Sequence, residues 1–191
     1  MNIINVKRYK EENFTRITLS DGTHENFTSI RGAIVFPFQN APGMILIGGV
    51  CEELVIVKIL VEKEILSLGA AASELMALKS RFSVYQFYYQ NTPEAEGPAE
   101  YLRRKANLIG RLVPAPHSES FEYGVLLIND YLGANRLSVP QDGMLASQFS
   151  ANWEDINADN RPHAVIALSC LLAALESNLL DRGALYGLDL S

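Results

Sequence analysis

Leu54-Val-Ile-Val-Lys-Ile-Leu-Val61 stands just before Ser67, and behind Ser67 the apolar residues change their spacing. A run so continuously apolar is unsuited to a strand wetted on one face, so it predicts a strand inside a sheet covered on both sides. After it, Leu68, Ala71, Ala72, Leu75, Leu78 and Phe82 recur at helical spacings, which predicts an amphipathic helix over Ser67–Arg81 with Ser67 as its cap. Upstream lie two more apolar runs, Gly32–Phe38 and Met44–Val50, broken only by short turn-like segments. Three core strands joined by hairpins are therefore expected. Before them, Ile3–Tyr9 and Phe14–Leu19 read as strands, with Ser20-Asp21-Gly22-Thr23 as turn chemistry. Residues 1–30 are thus assigned to an N-terminal β-hairpin extension and residues 31–191 to the main domain.

Downstream, Val84–Tyr89 alternates in β-branched and aromatic residues and predicts a further strand, ended by Asn91-Thr-Pro-Glu-Ala-Glu-Gly-Pro98. Pro98 suits the first turn of a helix reaching about Leu108, and Phe121–Tyr131 supplies another helical face. Arg136–Val139 is short enough for an edge strand. Asp142 is expected to cap a helix over Gly143–Trp153, and Asn160 with Pro162 to open a last helix over Arg161–Leu180, stopped by Asp181-Arg182-Gly183. Almost every position from Ala164 to Leu175 is apolar, so Ile166, Leu168, Leu172 and Leu175 should be buried against the sheet. The order describes an α/β layer fold with a mixed central sheet flanked by helices. Strict βαβα alternation is disfavoured, because the first three core strands are joined without helices.

Composition narrows the function by exclusion. The chain has 191 residues, is 48% hydrophobic and 20% charged, and carries 16 Lys+Arg against 22 Asp+Glu, a net charge of -6. It can fill a core, and it is no generally basic nucleic-acid coat. Cys51 and Cys170 are far apart, and His24, His117 and His163 are scattered, so neither a zinc knuckle nor a disulfide framework is supported. The N-terminus lacks an apolar signal core, and Ala164–Leu175 is about half a membrane span, which points to a cytoplasmic protein with no membrane partner. No phosphate-binding loop surrounds Gly48-Gly49, and there is no G-x-S-x-G elbow or H-E-x-x-H helix.

The C-terminal third carries a resemblance. Arg136-Leu-Ser-Val-Pro-Gln-Asp-Gly-Met-Leu-Ala-Ser-Gln-Phe149, Trp153, and Arg161-Pro-His-Ala-Val-Ile-Ala-Leu168 together resemble the closing segment of the nuclease domain of phage terminase large subunits. In that family a short strand, a helix and an Asp-His-Ala-x-Asp-Ala-Leu helix follow one another. Pro42-Gly-Met-Ile-Leu-Ile-Gly48 resembles the family's second strand. The resemblance runs from about Gly32 to Leu180 and implies a ribonuclease H-like α/β domain over residues 31–191. It also implies a phage or prophage setting, with a packaging or other protein partner and contact with DNA.

The departures bear on activity. The resemblance implies divalent metals held by carboxylates from the first strand, the fourth strand and the last helix, since two close cations need several hard oxygen ligands. Gly32–Phe38 contains no acid, Val84–Tyr89 contains none and runs into Gln90-Asn91, and Pro162 and Ile166 stand where the motif carries acids around the retained His163. The expectation is a nuclease fold that has lost its nuclease, with no metal ligands, no catalytic residues and no cofactor, serving as a structural or interaction module. The competing expectation is a metal-dependent nuclease using Mg²⁺ or Mn²⁺ with acids from unusual places: Glu52, Glu53, Glu122, Asp155 or Asp159. Arg103-Arg104-Lys105, with Arg111, is a candidate phosphate-binding patch, against the alternative of a solvated helix face. Tyr85, Phe87, Tyr88 and Tyr89 read as core before base-stacking platform. Glu94, Glu96 and Glu100 read as a solvated acidic loop before a weak cation site.

Overall fold

The computed structural model describes residues 3–38, 41–51, 56–149 and 162–186, with side chains as far as Glu176. The chain opens with β1 (Ile3–Tyr9) and β2 (Phe14–Leu19), at the bounds the sequence predicts, followed by β3 (His24–Val35), β4 (Gly43–Cys51) and β5 (Ile56–Ile65). After α1 (Leu68–Phe82) come β6 (Phe87–Tyr89), a 3-10 turn at Pro93–Ala95, α2 (Glu96–Lys105) and β7 (Leu112–Pro114). The chain then forms α3 (Phe121–Gly133), β8 (Leu137–Ser138), α4 (Met144–Phe149) and α5 (His163–Tyr186).

All eight strands belong to one sheet, ordered β1-β2-β3-β4-β5-β8, with β6 against β3 and β7 against β6. β3 is the hinge of this topology. Its amino end pairs with β2, as in Arg16 opposite Asn26, while its carboxyl end pairs in parallel with β6, from Gly32 opposite Phe87 to Ile34 opposite Tyr89. Its other edge takes β4 in antiparallel register along most of its length. The main sheet therefore reads β5-β4-β3-β6-β7, mixed in direction.

Both faces of that sheet are covered, which explains the apolar runs. On β4, Ile45 and Ile47 enter one core with Leu75 and Phe82 of α1 and Leu102 of α2. Met44 and Leu46 enter the other, with Ile128 of α3, Leu145 of α4 and Leu168, Leu171 and Leu172 of α5. Ile166, Leu168, Leu172 and Leu175 are all buried, as expected. Gly48 lies where α5 presses closest, since a Cβ there would meet Leu171 Cδ2 at 2.7 Å.

Several boundaries differ from the sequence reading, each for a physical reason. The first core strand is not Gly32–Phe38: β3 begins at His24, crosses residue 30 without a break, and stops at Val35 before Phe36-Pro37. β5 continues past Val61 through Glu62-Lys63-Glu64, which remain in register with Leu46, Ile45 and Met44; Leu54 lies outside the described residues. The strand expected over Val84–Tyr89 keeps only Phe87–Tyr89. α2 stops at Lys105, short of Leu108, because Asn107 adopts φ 50° and the Leu108 N–H bonds back to the Arg103 carbonyl at 2.8 Å, a left-handed helix stop. The edge strand is trimmed from Arg136–Val139 to β8, and β7 was not anticipated. α4 begins after Gly143, and the Leu145 N–H donates to Glu62 Oε2 at 3.2 Å. α4 reaches Phe149, while Trp153 and Asn160 lie outside the described residues. α5 runs through Asp181-Arg182-Gly183 to Tyr186 instead of stopping there. Ser67 caps α1 as predicted, its Oγ accepting the Ala70 N–H at 3.1 Å.

Candidate functional site

Parallel neighbours β3 and β6 end on the same side of the sheet, and the crevice beyond the carboxyl ends of such strands is where open α/β sheets place ligands. Here β3 runs into Phe36-Pro37-Phe38, β6 leaves through Gln90 and Thr92 to the 3-10 turn, and α5 starts at His163. Together they enclose a cavity of about 380 Å³. Its wall is largely apolar, with Phe36, Pro37, Phe38 and Ile166 facing Ala95 and Pro98. Its polar groups are Gln90, Thr92, Glu94 and His163.

The start of α5 is fixed by α4. Gln148 Oε1 accepts the N–H groups of Ala164 and Val165 at 3.0 and 3.4 Å, so the first turn is satisfied by a side chain. His163 is half-buried there. Burial of its ring lowers its pKa from the ordinary 6.5, and Glu64 acts in the opposite direction. Glu94 is exposed. The two strand ends meet through rings: Phe36 and Tyr89 have centroids 5.4 Å apart, tilted by 45°. Tyr89 is buried, and its hydroxyl receives a hydrogen bond from Arg103 Nη2 at 2.8 Å and contacts Glu96 Oε1 at 3.4 Å. Desolvation raises its pKa above the usual 10.0.

A pair of divalent cations about 4 Å apart requires several carboxylates converging on one point. Among the described residues no three His, Cys, Asp or Glu side chains come together in that way. Among the described residues the cleft lining offers one carboxylate, Glu94, and Ile166 on α5 is buried and has no lone pair. The described donor set does not fit a two-metal centre. Of the alternative acids, Glu122 sits exposed in the first turn of α3, where Ser120 Oγ donates to its Oε2 at 2.8 Å. Glu52, Glu53, Asp155 and Asp159 lie outside the described residues.

The basic patch is divided. Arg103 is committed to the fold: its Nε donates to the Leu112 carbonyl at 3.0 Å, and its guanidinium lies 3.7 Å from Glu100 and 3.9 Å from Glu96. Arg104 pairs with Glu100 at 2.7 Å. Lys105 is exposed, and Arg111 lies over the Tyr85 ring at 5.1 Å. Because the Phe87 N–H bonds to the Arg111 carbonyl at 2.7 Å, Arg111 stands at the amino end of β6, opposite the cleft. Of the aromatic run, Phe87, Tyr88 and Tyr89 are core, and Tyr85 alone is exposed. The sequence reading placed Glu94 in a solvated loop; only the adjacency of β3 and β6 brings that loop to the cleft.

Strand order and two covered faces define a ribonuclease H-like α/β fold. No family model and no curated protein sequence matches the chain. Among solved structures it is similar to the large terminase nuclease domain of bacteriophage SPP1 with bound Mn, at 14% identity and TM-score 0.57, covering 80% of this chain and 88% of that one. It is likewise similar to the large terminase nuclease of the thermophilic phage G20c with bound magnesium, at 10% identity and TM-score 0.58, covering 91% and 92%. The chain thus shares the fold of phage large-terminase nuclease domains. Among the described residues, no helix is long and apolar enough to cross a membrane.

Proposed function

We propose that this chain is a terminase-nuclease-like domain without nuclease activity, acting as a structural or interaction module in the cytoplasm in a phage or prophage setting. The observation that carries this reading is the chemistry of the strand ends. Phe36 and Tyr89 make a ring contact at the strand ends, where the resemblance to terminase nucleases implies carboxylates, and Glu94 is the one acid among the described residues lining the cleft. A phosphodiester entering the cleft would face that carboxylate and a mostly apolar wall, with no Lys or Arg among the described lining residues to neutralise it. Contact with DNA is left to surfaces away from the cleft, among them the opposite end of β6, where Arg111 stands and Arg103, Arg104 and Lys105 complete a basic patch. On this reading His163 is the remnant of the family's motif, a half-buried ring at the start of α5 whose burial disfavours the charged form. The partner is a packaging or other protein.

The test is plasmid cleavage by the purified protein in Mg²⁺ and in Mn²⁺. The expected result is no nicking with either ion. Nicking that survives repurification and disappears in Asp155→Ala, Asp159→Ala or Glu122→Ala would overturn this reading in favour of a metal-dependent nuclease with atypically placed acids.

A further inference from the structure

The register of β1, β2 and β3 builds a second polar surface away from the cleft. Lys7 lies directly opposite Arg16, Tyr9 opposite Phe14, and Arg16 in turn opposite Asn26, with His24 two residues before it on the same face. The other face of these strands carries their core residues, Ile17 and Phe27 buried in the first core and Val6 packed against it, together with Arg8, which donates to Thr15 Oγ1 at 3.2 Å. Glu25 points to that side too, where it pairs with Lys58. The alternating positions from Asn5 to Tyr9, Phe14 to Thr18 and His24 to Asn26 therefore include no acid, in a chain whose net charge is -6.

Like charges directly opposite each other across antiparallel strands are destabilising. This hairpin nevertheless holds two there. Lys7 Nζ and the Arg16 guanidinium both sit over the Tyr9 ring, at 5.0 and 5.2 Å, and Arg16 is also 5.4 Å from the Phe14 ring. Tyr9 and Phe14 stack at 4.8 Å, and Arg16 Nε donates to Asn26 Oδ1 at 3.0 Å. Rings and amide position the two cations without neutralising them, and no ion pair among the described residues reaches either one.

We propose that this face binds the phosphate backbone of a nucleic acid, with Lys7 and Arg16 straddling one phosphate and Tyr9, His24 and Asn26 available to the adjoining sugar and base. A phosphodiester supplies the negative charge that the cross-strand pair lacks, and rings beside cations are what nucleic-acid surfaces combine. The choice of a nucleic acid over an acidic peptide rests on the terminase-nuclease-like reading above; the unneutralised cationic face does not.

The test is fluorescence anisotropy with labelled single-stranded and duplex DNA across about 50 to 200 mM salt. The protein should bind at the low end, and Lys7→Glu with Arg16→Glu should weaken binding about tenfold or more and flatten the salt dependence by about two phosphate contacts. A charge-matched control, Lys63→Glu with Lys79→Glu, should stay within about twofold of the parent. If the double glutamate variant loses its circular-dichroism melt, Lys7→Gln and Arg16→Gln singly should each flatten the salt slope by about one contact. No binding at low salt, unchanged binding by the variants, or equally tight and equally sensitive binding of polyglutamate would overturn the proposal. Loss confined to Lys105→Glu with Arg111→Glu would overturn it while leaving the module reading standing. DNA nicking, measured separately, would overturn that reading and leave the hairpin site intact.

Discussion

One strand, β3, serves two regions of opposite chemistry. At its carboxyl end, Ile34 and Val35 lead into Phe36-Pro37, and among the described residues the cleft they form with β6 and α5 holds one carboxylate and one histidine in a mostly apolar wall. At its amino end, His24 and Asn26 extend a surface with two cations and no acid. The carboxyl end is the position this topology offers to a ligand, and there the side chains have little with which to hold charge. The amino end belongs to a hairpin outside the β5-β4-β3-β6-β7 order, and there cations are gathered. A fold fixes where a site can be, but side chains decide which chemistry is left in it.

Both regions depend on a common frame, so the most severe disturbance should affect them together. Leu172 is fully buried in the core that α5 shares with β4 and α3. Leu172→Ala should cost about 2 to 5 kcal/mol in denaturant titration, by lost transfer energy and a residual cavity. A cost below about 0.5 kcal/mol would mean that α5 does not brace the sheet.

Gly32 is the point on β3 where the cleft half meets the hairpin half. A Cβ there would lie 2.3 Å from Phe87 Cδ1 and 3.1 Å from Ile47 Cδ1, so β6 approaches β3 closely only because this residue is glycine. Gly32→Ala should destabilise by about 1 to 3 kcal/mol through overpacking. Hydrogen exchange should rise at Phe87–Tyr89 before it rises in β1 and β2. Equal loosening at both ends would show that β3 does not separate the two regions mechanically.

The same residue shows what could be read without coordinates. Gly32 marks a change of texture, from the mixed composition of residues 14–31 to a purely apolar run, and so resembles a strand boundary; β3 passes straight through it. Ile3–Tyr9, Phe14–Leu19 and Ser67 were legible because their signals are local: alternation, a turn, and a side chain that caps its own helix. β7 was not, since three residues ending in Pro114 form a strand only because β6 is beside them. The cleft needs β3 and β6 to be neighbours, which no local pattern states. The absence of acids from Gly32–Phe38 and Val84–Tyr89 was legible residue by residue, but the Phe36–Tyr89 contact at the two strand ends was not. The Lys7–Arg16 opposition likewise becomes visible only once register is fixed.

A milder change separates the two regions from the hairpin side. α1 covers the inner face of the hairpin, and Arg81 Nη2 donates to the Ile3 carbonyl at 2.8 Å. Removing the α1 cap with Ser67→Ala should cost about 1 kcal/mol by chemical denaturation. Exchange protection should fall first at the start of α1 and at the β1 amides, while Ala164 and Val165 at the cleft stay protected. Loss of protection at the cleft first would couple the regions more tightly than β3 alone explains.

The smallest effect belongs to His163 and singles out the cleft. Its pKa is depressed in the folded chain by burial, against 6.5 for the ordinary side chain. Between the depressed value and 6.5, the unfolded chain binds more protons than the folded one, so stability rises with pH through that window and falls as the solution is acidified below about 6.5. Glu64 opposes the effect, because its carboxylate favours the charged imidazolium. The melting temperature of the parent should therefore decline slightly more on going from neutral pH to below the histidine range than that of His163→Gln, which cannot take up the proton. Carboxylates titrating lower down contribute equally to both proteins and cancel in the difference. A variant with the same pH slope as the parent would mean that His163 shares enough solvent in the cleft to titrate normally. The apolar character assigned to that end of β3 would then be wrong at the first residue of α5.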